Sequence, residues 1–280
     1  MFAMRGGFPL LSSAVAAVLA VAAGVWPSVR VQAVNGPDVE EMKAEYRTVF
    51  SDRSWPAPAP GSWTLPQPSA DGLPPVISRI ETQEKVVFLT IDDGYEYDAE
   101  FVEIVRQEKV PILTFLTSVY IPQHGPYFWA LKSAGSRMEN HSVNHKNLGV
   151  LGPEGQRQEI CGASDKIEEQ YGRRPTIFRP PFGSYNDTTR QVVKECGMKS
   201  VLLWSAEYYN GTTSPQGVRD AFVRGDGGQG FKPGDIILMH YRKGLAAQMR
   251  TILGWIREQG FKPAAVENYL PESLGGNAKG

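Results

Sequence analysis

One stretch constrains the fold of this 280-residue chain more than any other. Residues Val86 to Ile91 are apolar or β-branched without interruption, which is typical of a strand buried on both faces. The run ends directly in Asp92, Asp93 and Gly94. Barrels and open α/β sheets hold their chemistry at the carboxyl ends of such strands, so the two acids are candidate functional groups. Taken alone, the same residues could equally form a polar turn that closes the strand.

Strand-like and helix-like segments alternate through the rest of the chain. Further apolar runs predict strands at 110–116, 137–140, 176–179, 199–204, 235–239 and 262–266. Apolar residues at helical spacing predict helices at 97–109, 127–133, 153–171, 187–196, 214–224 and 245–259. Repeated βα units imply a parallel sheet, and this number in one domain suggests a closed or nearly closed barrel.

The N-terminal part of the chain has the pattern of an export signal. Arg5 precedes an apolar run from Phe8 to Trp26, and residues 31–33 offer a small-residue cleavage site. We predict a signal peptide over 1–33, although the run is also long enough for an uncleaved membrane anchor. The protein is therefore expected to be exported, either extracellular or associated with the cell wall. Residues 34–75 form a proline-rich extension, which is either a spacer or a strap packed along the domain.

Charge and cysteine content narrow the class of protein. The chain has 29 Lys and Arg against 30 Asp and Glu, which gives no support for the basic face of a nucleic-acid-binding protein. The two cysteines are Cys161 and Cys196. In an exported protein such a pair is either a disulfide or two separate buried thiols.

Two histidines suggest a metal site. His141 and His145 follow the strand predicted at 137–140 and are four residues apart. On a helical turn such residues point the same way, so both imidazoles could meet one cation. A carboxylate from the Asp-Asp pair would complete a set with open positions, which suits zinc or a similar divalent ion. His124 has no other candidate ligand near it in the sequence, so we expect it in a surface loop.

Three more clusters follow predicted strands. Arg179 opens the loop Arg-Pro-Pro-Phe-Gly-Ser-Tyr-Asn, where it could orient a carboxylate while loop amides face an oxyanion, or could be a surface arginine on a rigid turn. Trp204 and Glu207 follow the strand at 199–204, and His240 ends the strand at 235–239. A histidine in that position is more often structural, but its place at the same edge as the other candidates favours a functional role.

Taken in order, the motifs T-I-D-D-G, H-S-x-x-H, R-P-P-F-G-x-x-N, W-x-x-E and L-M-H resemble those of the polysaccharide deacetylases, the carbohydrate esterases with a NodB homology domain. The resemblance covers roughly residues 85–270. It implies an α/β fold, a distorted (β/α) barrel usually built from seven parallel strands, and a metal-dependent hydrolase that removes acetyl groups. Residues 76–280 would then be the catalytic domain.

The resemblance also implies roles for the site residues. Asp93, His141 and His145 would bind the metal. The catalytic set would be the general base Asp92, the general acid His240, and Arg179 with its expected partner Glu207. The substrate-binding set would comprise the Phe182 amide at the oxyanion, Trp204 and Leu238 in the acetyl pocket, and Tyr185.

The same resemblance implies the cofactor and partner. The cofactor would be a divalent metal, with Zn²⁺ favoured and Co²⁺ or another divalent ion as the alternative. The partner would be an acetylated polysaccharide, peptidoglycan or chitin-like, and the protein is expected to be a monomer. The family's fourth motif usually continues D-x-x-D-W, whereas the matching positions here are Glu207, Asn210 and Gly211. This departure bears on substrate shape and on the tuning of His240.

Two alternatives to an N-deacetylase remain open from the sequence. The same fold and metal could serve an O-acetyl esterase that acts on a xylan-type glycan. A third hypothesis is a non-catalytic protein that binds wall glycans, with Trp55, Trp63 and Trp129 as stacking surfaces. Ordinary packing is the simpler interpretation of these tryptophans.

Overall fold

Ten strands form one curled, mostly parallel sheet in the computed structural model, which describes residues 55–59, 61–64, 66–208 and 212–278. They are β1 (Val76–Ile77), β2 (Val86–Asp93), β3 (Ile112–Leu116), β4 (Arg137–Asn140), β5 (Ile177–Phe178), β6 (Ser200–Leu202), β7 (Ala206–Tyr208), β8 (Phe222–Arg224), β9 (Asp235–His240) and β10 (Lys262–Pro263). The predicted export signal at 1–33, together with Asn210 and Gly211, lies outside the described residues.

The order of the strands places β2 at the centre of the sheet. The order is β1-β6-β5-β4-β3-β2-β9-β7-β8, with β10 beside β2, and only β7 and β8 pair antiparallel. Asp92 lies opposite Phe115 of β3 on one side and His240 of β9 on the other. The candidate base and the candidate acid therefore end neighbouring strands at the same level. This is the distorted (β/α) barrel that the sequence predicts.

Six helices accompany the described part of the sheet. They are α1 (Ala99–Gln107), α2 (Ile121–Ser133), α3 (Pro153–Tyr171), α4 (Asp187–Glu195), α5 (Pro215–Asp220) and α6 (Leu245–Glu258). Val87, Leu89 and Ile91 of β2 belong to a core cluster that the sheet shares with all of these helices except α4, whereas Phe88 belongs to the second cluster. Because side chains alternate along a strand, Asp92 points to the same side as Phe88, into the curl of the sheet.

The structure differs from the sequence prediction in its short elements. The short strands β1, β7 and β8 were not predicted, and the last predicted strand, 262–266, is reduced to two residues. The predicted helix 214–224 ends at Asp220 because Phe222 belongs to β8, where its ring packs against Tyr208 at 5.1 Å and Trp255 at 5.2 Å. These partners are distant in sequence, so the local pattern could not indicate them.

Helix α2 begins earlier than predicted and changes the setting of His124. The helix starts at Ile121 rather than at Tyr127 and continues through Pro126. His124 therefore lies on a helix and not in a surface loop, and its Nε2 is 3.0 Å from the Tyr95 carbonyl oxygen. Later in the same helix, Trp129 is buried in the core, as the packing interpretation of the tryptophans predicts.

A disulfide joins two helical segments of the domain. Cys161 in α3 and Cys196 after α4 form a disulfide, which decides between the two alternatives for the cysteines.

In the described part of the proline-rich extension, Asp71 accepts a hydrogen bond from Arg190 at 2.7 Å. The Trp55 ring nitrogen donates to the Gly135 carbonyl oxygen at 3.1 Å, so this part is a strap and not a free spacer. No helix of the described residues has the length and apolarity needed to span a bilayer.

Candidate active site

The end of β2 directs two adjacent carboxylates to different places. Asp92 is 2% exposed and continues the alternation of the strand, whereas Asp93 has a left-handed backbone with φ of 79°. The chain turns sharply there and continues through Gly94, whose φ is 107°. A side chain at Gly94 would bring a Cβ within 2.9 Å of the Phe128 ring, so only glycine fits this turn. The two acids can therefore serve different functions.

Asp93 and two histidines converge on one point. The Asp93 Oδ1 atom lies 3.6 Å from His141 Nε2 and 3.3 Å from His145 Nε2. One ligand atom from each residue falls within 4.8 Å of the other two. Two imidazoles and a carboxylate without any cysteine are the donors of a catalytic zinc-type site that keeps a position open. These residues could hold a divalent cation.

The backbone conformation that brings His141 and His145 together is not the predicted helical turn. The sequence suggested a helical turn, but residues 141–145 form a loop in which Ser142 and His145 are left-handed, with φ of 70° and 56°. Asn140 accepts a hydrogen bond from the Ser142 amide at 2.8 Å, and the Ser142 hydroxyl accepts one from the His145 amide at 3.0 Å. These side-chain bonds stabilise the loop and bring the imidazole rings to a centroid distance of 4.9 Å.

His141 is held in the form that binds metals. Its Nδ1 lies 2.7 Å from the carbonyl oxygen of Arg179, which can only accept, so Nδ1 carries the proton and Nε2 presents its lone pair towards Asp93. Burial lowers the pKa of His141 to about 3, and the ring therefore stays neutral in ordinary buffers. A neutral imidazole oriented by a carbonyl is the usual arrangement of a histidine ligand.

One oxygen of the Asp93 carboxylate lacks a hydrogen-bond donor in the described part of the chain. Its Oδ1 atom is buried and accepts no hydrogen bond from the described residues. Leaving a buried acceptor unsatisfied costs about 1–3 kcal/mol, more when the group is charged. A cation between Asp93, His141 and His145 would satisfy this oxygen, so the donor set fits a divalent metal.

Arg179 holds the neighbouring carboxylate, Asp92. The guanidinium is completely buried, and its Nη1 donates to Asp92 Oδ1 at 2.8 Å and to the Thr90 hydroxyl at 2.7 Å. Burial raises the pKa of Asp92, and the charge of Arg179 opposes that rise. The other oxygen, Oδ2, lies 3.6 Å from His141 Nε2, beside the candidate metal position. Asp92 thus presents one fixed and one available oxygen.

The expected pairing of Glu207 with Arg179 is wrong. The remaining donors of Arg179 go to the carbonyl oxygens of Leu202 at 2.9 Å and Leu203 at 3.0 Å. Among the described residues, the carboxylate that forms an ion pair with this guanidinium is Asp92. Glu207 lies in β7 opposite Leu238 of β9, and the two carbonyls already occupy the donors that it would need.

The remaining predicted residues surround this centre. His240 is partly exposed and ends β9 beside Asp92, while Leu238 is buried two residues before it. The partly buried Trp204 contacts both sides of the Arg179 loop. The Arg179 guanidinium carbon lies 5.7 Å from its ring centroid, and a side chain at Gly183 would place a Cβ 3.2 Å from its ring.

The loop after β5 lies against the histidines. Phe182 is left-handed with φ of 61°, and its ring is 67% exposed and packs edge-on against His145 at 4.6 Å. Tyr185, three residues later, is 39% exposed. Asp93, Ser142, His145 and Phe182 are left-handed non-glycine residues, and in the described part of the chain only Lys109 shares this property elsewhere. Backbone strain of this kind gathers at functional sites.

Sequence reasoning missed the residues that support these groups. Thr90 accepts the second hydrogen bond from Arg179 Nη1, and the alternation of β2 could have identified it because it shares a face with Asp92. Asn140 donates to the Ile160 carbonyl at 2.7 Å and to the Ser164 hydroxyl at 2.8 Å while it accepts from the Ser142 amide. No local signal distinguishes Asn140 from an ordinary residue at a strand end.

Comparison with known proteins agrees with this geometry. A family model described as polysaccharide deacetylase matches residues 79–201. The uncharacterized protein SCO4760 of Streptomyces coelicolor is 36% identical over 229 residues, which cover 78% of this chain and 88% of that protein. The chain belongs to the polysaccharide deacetylase family. The peptidoglycan-N-acetylglucosamine deacetylase of Bacillus cereus is 28% identical over 200 residues, covering 69% of this chain and 91% of that protein.

A solved structure extends the likeness of fold within the family. BA3943 of Bacillus anthracis superposes with a TM-score of 0.63 at 24% identity, covering 74% of this chain and 73% of that chain. That protein is described as a family 4 carbohydrate esterase pseudoenzyme. The fold of a polysaccharide deacetylase is therefore compatible with absence of activity, and activity has to be argued from the site residues.

Proposed function

We propose that this polysaccharide deacetylase family member is an exported, metal-dependent enzyme that hydrolyses the acetamide of N-acetylglucosamine-type units in a cell-wall or chitin-like glycan. One observation carries the proposal. The Asp93, His141 and His145 group lies directly beside a second carboxylate, Asp92, which Arg179 holds in place. Relatives named as peptidoglycan deacetylases support the substrate class.

The metal requirement rests on the three ligand residues. Asp93, His141 and His145 would hold the ion, and two imidazoles with one carboxylate favour Zn²⁺ over harder cations. A divalent ion in this place supplies a Lewis acid for the acetyl carbonyl and lowers the pKa of water towards neutrality. The buried, unsatisfied Oδ1 of Asp93 supports this requirement.

The protein groups would divide the proton transfers between them. Asp92, fixed through Oδ1 by Arg179, would take the proton of the attacking water at its other oxygen. His240, beside Asp92 on β9, would protonate the departing nitrogen, which is otherwise a poor leaving group. The amide of Phe182 would donate to the oxyanion, and Leu238 with Trp204 would enclose the acetyl methyl group.

Export is supported by two independent features. The first is the N-terminal sequence pattern over residues 1–33. The second is the disulfide between Cys161 and Cys196, because disulfides persist in oxidising compartments and are rare in the cytosol. A protein outside the cytoplasm can meet a wall glycan as its substrate.

Acetate release tests the proposal. Purified protein is incubated with an N-acetylglucosamine oligomer in the presence of zinc, with chelator, and as Asp92→Asn. Turnover that requires both the metal and Asp92 is expected, with a loss of about 10²- to 10⁴-fold for the variant. Release from acetylated xylan but not from the oligomer would assign an ester substrate instead. Binding of the oligomer without any turnover would indicate a glycan-binding protein.

A further inference from the structure

Arg242 lies in the loop between β9 and α6, two residues after His240. The preceding amide, of Tyr241, donates to the Asp92 carbonyl oxygen at 3.1 Å, and the following amide, of Lys243, approaches a Glu96 carboxylate oxygen at 3.4 Å. Both acceptors belong to the segment around the candidate metal ligand Asp93. The backbone of Arg242 is thus held on both sides against the segment that carries the site.

A further bond fixes the end of this loop. The Ala246 amide in the first turn of α6 donates to Asp98 Oδ2 at 3.0 Å, while Oδ1 of the same carboxylate caps α1 through the Glu100 amide at 3.1 Å. One side chain therefore joins the starts of two helices that follow β2 and β9. Because both helices are anchored in the core, the backbone position of Arg242 relative to the site is set before any ligand binds.

The guanidinium of Arg242 forms no hydrogen bond or ion pair with the described residues. The side chain is half-buried, and its Nε atom is fully buried without an acceptor. Burial lowers the pKa of Arg242, and the nearby Tyr95, Asp93 and Glu96 oppose this shift. None of the three accepts a hydrogen bond from the guanidinium. A buried donor that the protein leaves unsatisfied is costly, so the position calls for an acceptor from outside.

Arg179 shows what a structural arginine looks like in the same site. It is completely buried and its donors reach Asp92, Thr90 and two backbone carbonyls, all within the protein. Its charge is used internally and cannot meet substrate. Arg242 has the opposite properties: its side chain is partly exposed, its backbone is held on both sides, and its Nε has no acceptor among the described residues. A guanidinium in this state suits a carboxylate, whose two oxygens match its planar donors.

We propose that Arg242 binds a carboxylate of the glycan next to the unit that loses its acetyl group. The inference rests on the proposed function and specifies the substrate class as an acetylated glycan that carries carboxylates. The carboxylate has two possible sources in a peptidoglycan strand, the lactyl group of an N-acetylmuramic acid that carries no peptide, and the carboxylates of the peptide where one is attached. A neutral chitin-type polymer has neither.

Paired substrates test the role of Arg242 in turnover. Acetate release is measured on a peptide-free oligomer of alternating N-acetylglucosamine and N-acetylmuramic acid, and on the same oligomer with its carboxyl groups reduced to alcohols. The native protein is expected to prefer the acidic oligomer about tenfold or more in kcat/KM, mainly through KM. Arg242→Gln should bring this ratio close to one, and Arg242→Lys should retain part of it.

The matched control is Arg250→Gln. Arg250 lies on α6 and pairs with Glu100 on the surface, so the variant removes one arginine from the same region without touching the site. It should keep the native preference for the acidic oligomer. An equal loss on both oligomers in Arg242→Gln would overturn the proposal, because a purely structural role predicts that result. A peptide-bearing oligomer distinguishes the sources, since a preference seen only there assigns the peptide carboxylate.

Binding separates this inference from the proposed function. In the Asp92→Asn background, which prevents turnover, the dissociation constants of the acidic and reduced oligomers are measured with and without Arg242→Gln. A preference for the acidic oligomer that depends on Arg242 supports the inference even if no substrate is hydrolysed, in which case only the proposed function fails. Equal affinity of the parent protein for the acidic and reduced oligomers, together with binding of the peptide-bearing oligomer that does not depend on Arg242, would overturn the inference, while acetate release decides the function.

Discussion

The two ends of the sheet each bury an arginine–carboxylate pair, and the pairs differ in what surrounds them. At the amino end, Asp235 begins β9 and pairs with Arg224. Its Oδ1 accepts from the Ser205 hydroxyl at 2.9 Å, and its Oδ2 accepts from the Lys232 amide at 2.7 Å. At the carboxyl end, Arg179 pairs with Asp92, and next to this pair lies Asp93 with an oxygen that accepts nothing from the described residues.

The difference separates a structural network from a functional one. Every oxygen of Asp235 is satisfied by the protein, so this pair needs no ligand and contributes to the fold. The carboxylates of β2 are only partly satisfied, and the missing partners are those that a cation, water or substrate would supply. Buried polar atoms without hydrogen bonds also occur in the described part of the core, for example Trp129 Nε1, so burial and an unmet bond do not indicate function by themselves. At Asp93 the unmet oxygen lies beside two imidazoles, and this combination indicates a ligand site.

The largest expected effect concerns the candidate metal site at the carboxyl end of the sheet. His141→Ala removes a candidate metal ligand that burial keeps neutral and the Arg179 carbonyl orients. We expect complete loss of stoichiometric zinc binding and of acetate release, measured by metal analysis after dialysis and by an acetate assay. Chelation of the native protein should have the same effect and be reversed by zinc. His124→Ala is the control, and retention of full metal content by His141→Ala would contradict the assignment.

Loss of a carboxylate should lower the stability of the protein much more at the amino end of the sheet than at the carboxyl end. Asp235→Ala leaves Arg224 with Asp226 as its remaining carboxylate partner, but the Ser205 hydroxyl and the Lys232 amide also lose their acceptor. The free energy of unfolding should fall by about 3 kcal/mol or more, because each donor left without an acceptor costs about 1–3 kcal/mol. Asp93→Asn in metal-free protein should change it by less than about 1 kcal/mol, because no donor is lost and asparagine tolerates a left-handed backbone. Urea unfolding of both variants with chelator present checks this. Equal losses would contradict the distinction.

The disulfide lies outside both ends and should affect only the scaffold. Replacing Cys161 and Cys196 by serine removes the link between α3 and the end of α4. The expected loss is about 2–4 kcal/mol in the free energy of unfolding, with metal content unchanged under folding conditions. Denaturant unfolding and metal analysis on the same preparation test this. Loss of the metal while the variant remains folded would show that the link also shapes the site.

The smallest expected effect tests the corrected role of Glu207. Because Arg179 is satisfied by Asp92, Thr90 and two carbonyls, Glu207→Gln breaks no buried ion pair. The free energy of unfolding should change by no more than about 0.5 kcal/mol. A loss of several kcal/mol would restore the expected pairing with Arg179. Thermal and urea unfolding of the variant give the measurement.

Much of the candidate site could be predicted because its residues follow strands. The run from Val86 to Ile91 identifies a buried strand, and Asp92, His141, Arg179 and His240 each come where such a segment ends. The carboxyl ends of parallel strands meet at one edge of a sheet, so position in the sequence already implied their proximity. The distorted (β/α) barrel followed from the same alternation of segments and from the family resemblance.

Other features depend on contacts between distant segments, which local patterns do not record. The short strand β8 forms because Phe222 packs against Tyr208 and Trp255, and Cys161 meets Cys196 only because α3 and α4 pack side by side. Residues 141–145 bring two histidines together through a left-handed loop and not through a helical turn. Each of these outcomes is decided by partners far away in the chain.

The sequence by itself determined which chemical groups this protein has and which edge of the sheet carries them, because strand periodicity and motif order are local properties. Only the tertiary structure decided how those groups share their hydrogen bonds. It paired Arg179 with Asp92 and not with Glu207, and it left Asp93 Oδ1 and Arg242 Nε without hydrogen-bond partners among the described residues. Satisfaction of buried polar atoms depends on every neighbour in three dimensions, which a local sequence pattern does not record.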